Sequence, residues 1–405
     1  MAEREKIDEI VNSRYIENIF PSREAFKKAL KSGRKLLFYI GIDPTAPKLH
    51  LGHSTNFLLL RKIQDLGHKI ILLIGDFTAR IGDPTGKDKT RKPLSKEEVL
   101  ENCKTYKQQV EKILDFSSKS NPAEVRYNSK WLSKMKPEDF IKLMAQSTVS
   151  QMIQRDMFQK RIKEKREIYL HEFLYPLLQG YDSVVMNVDV EVGGNDQTFN
   201  MLVGRELLKR YKNKEKFVIA TKLLINPKTG KKLMSKSEGN FISLDESPKG
   251  MYGEIMALPD EVIIPCFELC TNISDIEISK IKRDLKSKRL NPRDAKARLA
   301  REIVTMYHGK EAAKEAEEEF EKVFKRKEIP LKIPTFIVVK KNYLPLDLLF
   351  DLKLVSSKSE AKRLILQGGV KIDKKVLKDW KKLIEIKDGM IIQVGKRKFA
   401  QIKTS

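Results

Sequence analysis

The feature that most limits what this chain can become is an alternation of two hydrophobic rhythms between residues 35 and 225. Residues 35–43 contain Leu36-Leu37-Phe38-Tyr39-Ile40-Gly41-Ile42, an unbroken apolar run of strand length, closed by the turn signal Asp43-Pro44-Thr45. Residues 52–66 then place Leu58, Leu59, Ile63 and Leu66 on one face of a helix. A second apolar run fills residues 69–77, and residues 184–192 and 217–225 read as further strands with a helix at 197–211 between them. Strands buried on both faces and separated by helices predict an α/β fold with a doubly wound, mainly parallel sheet. Residues 93–180, rich in Lys and Gln, predict a largely helical insertion between those strands.

Beyond Asp245 the rhythm is helical, over residues 274–285, 292–307 and 310–324. Pro330 and Pro334 bracket a linker; short helices follow at 346–354 and 358–366, the second stopped by Gly368-Gly369. Residues 370–376 and 389–402 alternate like small strands. A chain of 405 residues exceeds one core, so several domains are expected. No run approaches the ~20 apolar residues of a membrane span. The first residues are charged and lack an apolar secretory core, and Cys103, Cys266 and Cys270 match neither a disulfide framework nor a four-ligand zinc pattern. Buried reduced thiols in a cytoplasmic protein are the expectation.

Charge narrows the partners. The net charge of +25 favours a polyanion or an anionic membrane surface. Residues 340–405 hold 17 Lys and Arg against 7 Asp and Glu, and this concentration in the tail points to RNA.

Two segments carry chemistry. His50-Leu51-Gly52-His53 stands between the first strand and its helix, where free N–H groups and the helix dipole suit a phosphate. Two imidazoles can add donors there, and the glycine lets a nucleotide approach the backbone. Lys231-Lys232-Leu233-Met234-Ser235-Lys236-Ser237 follows the last strand, and a loop with such lysines can close over a triphosphate. Alone, the first suits a helix cap and the second a solvated basic surface; their pairing and order are what is specific.

Together, His-x-Gly-His and Met-Ser-Lys-Ser resemble the paired signature of class I aminoacyl-tRNA synthetases. The family's second motif normally begins with lysine; Leu233 stands there, with Lys232 one residue earlier. The segments Tyr39 to Thr45, Ile81 to Gly86, Glu172 to Asp182 and Gly193 to Gln197 resemble the tyrosyl-tRNA synthetases in particular. That resemblance implies a Rossmann-like catalytic domain at 1–244, a helical anticodon-side domain at 245–328, a linker at 329–342 and an alpha-L RNA-binding domain at 343–405. Tyr39 and Asp182 would read the substrate phenol, and Asp83, Tyr175 and Gln179 would hold its α-ammonium. Asp43, Thr45, Gly52, Asp196 and Gln197 would contact ATP or the adenylate, as would Lys232, Met234, Ser235 and Ser237 of the second motif. His50, His53, Lys236, Lys87 and Arg91 would stabilise charge during activation. The spacing of Tyr175, Gln179 and Asp182 puts them on one helix face, which a pocket wall needs.

ATP is then a substrate accompanied by Mg2+, with no tightly bound cofactor. L-tyrosine and its tRNA are the other partners, and a homodimer, with residues 115–190 at its interface, is expected from the family. Residues 355–370 resemble the alpha-L fold, with Lys358, Lys362 and Arg363 on a helix flank facing tRNA phosphates. A tryptophanyl enzyme would share the catalytic fold without the Tyr39 and Asp182 pair or the basic tail. A small-molecule nucleotidyltransferase would share only the first motif, and a non-catalytic RNA-binding paralogue would not need the pocket residues.

Overall fold

The computed structural model describes residues 2–85, 94–234, 241–325, 334–338, 341–373, 375–395 and 398–404. The chain divides into two compact units, Met1–Glu317 and Glu318–Ser405.

The first unit is organised by a six-stranded sheet of β1 (Ile16–Phe20), β2 (Leu37–Ile42), β3 (Lys69–Ile74), β4 (Glu124–Tyr127), β5 (Val190–Gly194) and β6 (Phe217–Thr221). Their spatial order is β1-β6-β5-β2-β3-β4, parallel throughout except for β1, which runs antiparallel to β6 at the edge. Phe38, Tyr39, Ile71, Leu72 and Val190 are fully buried, as expected of strands covered on both faces. From β2 the chain builds outward through β3 and β4, then returns to build β5 and β6 on the other side. The switch point therefore falls between β2 and β5, and a crevice opens beyond their C-terminal ends.

The structure corrects several expectations. The insertion at 93–180 is not all helix: between Lys96–Cys103 and Pro137–Met144 it contributes β4, paired in parallel with β3. β1 was not expected either; two of its five residues are exposed, so no apolar run marks it. The strand expected at 184–192 is confined to Val190–Gly194, because the helix Tyr175–Met186 continues through Val184 and Val185 and ends at Asn187, with φ +50°. That helix packs against the helix Thr198–Lys212 so closely that a Cβ on Gly180 would lie 3.1 Å from the Gly204 Cα. Tertiary packing here overrides the β preference of two valines.

Helices Pro248–Met256, Ile263–Cys270, Asp275–Lys286 and Pro292–His308 follow, with Leu299, Ala300, Ile303 and Val304 of the last buried completely. In the second unit, helices Pro345–Asp351 and Lys358–Leu366 cover a five-stranded sheet. Leu348, Leu349, Ala361, Ile365, Val370, Ile392, Ala400 and Ile402 form its core. The run at 370–376 is a hairpin of Val370–Ile372 and Lys375–Val376, and the run at 389–402 supplies Ile391–Val394 and the start of Lys398–Thr404. Thr335–Val338, within the stretch expected as linker, is a strand parallel to Lys398–Thr404. Among the described residues no helix is long and apolar enough to cross a membrane.

Candidate active site

A cavity of about 790 Å³ occupies the crevice at the switch point. The described site residues expected in the first unit all line it: Tyr39, Asp43, Thr45, His50, Gly52, His53, Asp83, Tyr175, Gln179, Asp182, Asp196, Gln197, Lys232 and Met234. Lys87, Arg91, Ser235, Lys236 and Ser237 lie outside the described residues.

One end is polar and buried. Tyr39, from β2, is fully buried and its hydroxyl lies 2.8 Å from Ser183 Oγ. Asp182, one residue before that serine, is only 2 % exposed. Its Oδ1 accepts from the indole N–H of Trp131 at 2.8 Å and its Oδ2 from Asn128 Nδ2 at 3.2 Å. Burial pushes the Asp182 carboxyl well above the usual carboxylate range, and these two N–H donors oppose that shift. Burial also raises the Tyr39 phenol, which stays protonated. Nearby, Tyr175 donates to Asp43 Oδ2 at 2.9 Å and Thr78 donates to Asp43 Oδ1 at 2.7 Å. Gln179 Nε2 donates to Glu191 Oε1 at 3.0 Å, and Gln197 Nε2 donates to Asp83 Oδ2 at 2.7 Å. Gln197 therefore braces Asp83 as well as lining the cavity.

The other end is built by His50 and His53. His50 caps the 3-10 turn Leu51–His53: its Nδ1 accepts from the Gly52 N–H at 3.2 Å, while His53 Nδ1 accepts from the His50 N–H at 3.2 Å. The two rings lie 4.0 Å apart. Burial lowers the His50 pKa to about 2 and the His53 pKa to about 4, so both are neutral near pH 7. A neutral imidazole that accepts through Nδ1 carries its proton on Nε2, which makes His50 an uncharged donor. Glycine is needed between them, since a Cβ on Gly52 would lie 3.0 Å from His50 Nδ1 and Cε1. The chain after the second motif braces this turn: Leu51 N–H donates to Ile242 at 3.0 Å, and Leu244 N–H donates to Leu49 at 3.0 Å.

In the second motif, Leu233 is buried and Met234 adopts φ +64°. The position where the resemblance led one to expect lysine is thus filled by a buried side chain. Lys232 reaches the cavity instead, its Nζ 2.7 Å from Asp196 Oδ2.

Comparison with known proteins follows the same division of the chain. The family model described as tRNA synthetases class I (W and Y) matches residues 31–325, and an S4 domain model matches residues 346–388. The tyrosine–tRNA ligase of Thermotoga maritima is 47 % identical over 381 residues, spanning 94 % of each chain. That of Moorella thermoacetica is 46 % identical over 378 residues, 93 % of this chain and 90 % of that one.

The chain belongs to the tyrosine–tRNA ligase family.

Solved structures of the family share its fold at greater distance. A C-terminally truncated mitochondrial tyrosyl-tRNA synthetase of Aspergillus nidulans superposes with a TM-score of 0.65 at 22 % identity, over 79 % of this chain and 94 % of that one. The Archaeoglobus fulgidus synthetase, solved with L-tyrosine, gives 0.59 at 21 % identity, over 77 % and 99 %. Around the cavity several residues escaped sequence reasoning. Asn128 and Trp131 hold Asp182 from more than fifty residues upstream, and only the rarity of tryptophan, with 2 in the chain, marks one of them. Gly75 follows β3, and a Cβ there would stand 2.0 Å from Asp43 Oδ1. In the S4 domain, Lys358, Lys362 and Arg363 are exposed while Ala361 and Ile365 are buried, as helical spacing required. Lys358 also pairs with Asp347 at 2.6 Å, and the Lys362 ammonium lies 4.5 Å over the Trp380 ring.

Proposed function

We propose that the cavity activates L-tyrosine with ATP and that the S4 domain helps deliver the product to tRNA. One observation carries the reading: a buried tyrosine and a buried carboxylate, Tyr39 and Asp182, stand at one end of the cavity whose other end is the His50–His53 turn. A phenol adds a partner to both groups; a phenyl ring would bury them with part of their hydrogen-bonding capacity unused, at about 1–3 kcal/mol in all. The Gln179 amide oxygen, Tyr175 and Asp83 receive the α-ammonium. ATP, as its Mg2+ complex, lies towards Asp43, Thr45, Gly52, Asp196, Gln197, Lys232 and Met234.

Activation needs no general base, because the tyrosine carboxylate is already the nucleophile. It attacks the α-phosphorus, the bond to the β-phosphate breaks, and pyrophosphate leaves with tyrosyl-adenylate retained. Alignment and charge stabilisation supply the catalysis. His50 contributes as a neutral donor and His53 as a neutral imidazole beside it, which a phosphoryl group meets without the cost of keeping a buried imidazolium. Lys236, Lys87, Arg91, Ser235 and Ser237 are assigned to the phosphates by motif alone. In the second step a ribose hydroxyl at the tRNA 3′ end attacks the adenylate carbonyl and AMP leaves.

The domain plan follows: 1–244 catalytic with its insertion, 245–328 on the anticodon side, and the second unit, with Lys358, Lys362 and Arg363, against tRNA phosphates. A homodimer through the insertion is supported by exposed Ile141 (61 %), Val149 (69 %) and Leu170 (84 %). The enzyme works in the cytoplasm. The test is charging: with ATP, labelled tyrosine and bacterial tRNA, the full chain makes acid-precipitable product. A protein lacking residues 340–405 keeps tyrosine-dependent ATP–pyrophosphate exchange and loses most charging. Equal loss of both steps would contradict this division of labour.

A further inference from the structure

Behind the tyrosine end of the cavity lies a buried ion pair that no step above uses. Lys216, immediately before β6, and Glu191, in β5, have side chains 0 % and 2 % exposed and bond through Nζ and Oε2. Lys216 Nζ also donates to Ser183 Oγ at 2.8 Å. Ser183 in turn lies 2.8 Å from the Tyr39 hydroxyl and 3.4 Å from Glu191 Oε2. The other Glu191 oxygen accepts from Gln179 Nε2 at 3.0 Å. One pair thus touches the phenol reader through a serine and an ammonium holder directly.

Burying such a pair gains little stability over well-packed apolar side chains of the same volume, so its use lies in what it dictates to its neighbours. A carboxylate only accepts and an ammonium only donates. Glu191 therefore fixes the Gln179 amide with its nitrogen inward and its oxygen towards the cavity; the flipped amide would set two oxygens together. Lys216 occupies an acceptor position of Ser183, whose single proton must then go to Tyr39 at 2.8 Å or to Glu191 at 3.4 Å. The shorter path governs. When Ser183 donates along that path, Tyr39 accepts from it, and the Tyr39 proton can turn from Glu191, its other hydrogen-bond partner, to a substrate oxygen.

We infer that Lys216 and Glu191 are positioning residues that set the hydrogen-bond polarity of the amino-acid pocket. They turn Tyr39 into a donor towards a phenolic oxygen, whose own proton goes to Asp182, and Gln179 into an acceptor for an ammonium. This rests on the tyrosine reading of the cavity.

Four variants test it by tyrosine- and phenylalanine-dependent ATP–pyrophosphate exchange and by thermal stability. Glu191→Gln frees the Gln179 amide to flip, and the KM for tyrosine rises about tenfold with kcat and the KM for ATP nearly unchanged. Ser183→Ala keeps both charges paired and cuts only the hydroxyl link, so the preference for tyrosine over phenylalanine falls about tenfold. The double variant Lys216→Met with Glu191→Gln removes the charge imbalance: thermal stability recovers relative to Lys216→Met alone, while tyrosine affinity and preference do not. If tyrosine KM and preference instead track stability, or stay at wild-type values in Ser183→Ala and Glu191→Gln, the pair is only structural and the inference is overturned. A wild-type protein without tyrosine-dependent exchange would overturn the site reading itself, a distinguishable result.

Discussion

Replacing Asp182 by Asn changes one atom in shape and reverses a polarity. In the wild type both carboxylate oxygens accept, from Trp131 at 2.8 Å and Asn128 at 3.2 Å. The new amide has one oxygen, which turns to the shorter indole contact and leaves its NH2 against the NH2 of Asn128. Asn128 cannot relieve this by rotating, because its Oδ1 accepts from the Phe77 N–H at 2.9 Å and its Nδ2 also donates to Thr78 at 3.0 Å. An unmatched buried donor costs about 1–3 kcal/mol, so the melting temperature falls measurably. The substrate phenol meanwhile loses a buried hydrogen-bond acceptor, worth about 0.5–1.5 kcal/mol, which is roughly a 2- to 12-fold loss in kcat/KM for tyrosine. Phenylalanine has no hydroxyl and keeps its low activity. The assay is ATP–pyrophosphate exchange with each amino acid at saturating ATP. If tyrosine and phenylalanine lose activity equally, Asp182 merely supports the pocket and the reasoning fails.

Two further outcomes follow from the geometry. His50 and His53 titrate near 2 and 4 instead of 6.5, so the folded protein binds fewer protons than the unfolded chain in the acid range. Their contribution to stability is complete above pH 6.5 and is lost as pH falls from there, through about 4 for His53. Histidine Cε1–H NMR resonances of these two residues should stay flat between about pH 8 and about pH 5.5; a midpoint near 6.5 would refute the neutral-donor account. Gly75→Ala places a Cβ 2.0 Å from Asp43 Oδ1 and 2.5 Å from Thr78 Oγ1. The variant should raise the KM for both tyrosine and ATP in the exchange assay, and wild-type constants would show that Asp43 needs no such clearance.

The sequence made some parts of this molecule legible because the physics behind them is local. β2 and β3 are unbroken apolar runs, and the turn at His50 joins a helix start to two imidazoles within four residues. Tyr175, Gln179 and Asp182 lie on a single helix, so their spacing alone shows that they share a face. β1 and β4 are short edge strands with partly exposed side chains, and nothing periodic announces them. The helix through Val184 and Val185 is decided by Gly204, twenty residues away, and not by the valines. Likewise, Glu191 and Lys216 become partners only when β5 and β6 align, with Glu191 opposite Val218. That Leu233 in the second motif is a buried side chain is likewise something its lysine-rich surroundings do not display.

The most direct measurement is ATP–pyrophosphate exchange by the full chain with each of the twenty amino acids in turn. Exchange with tyrosine, far above phenylalanine and tryptophan, is the result that Tyr39 and Asp182 require. Exchange with tryptophan alone, or with none of the twenty, would contradict the assignment of the cavity.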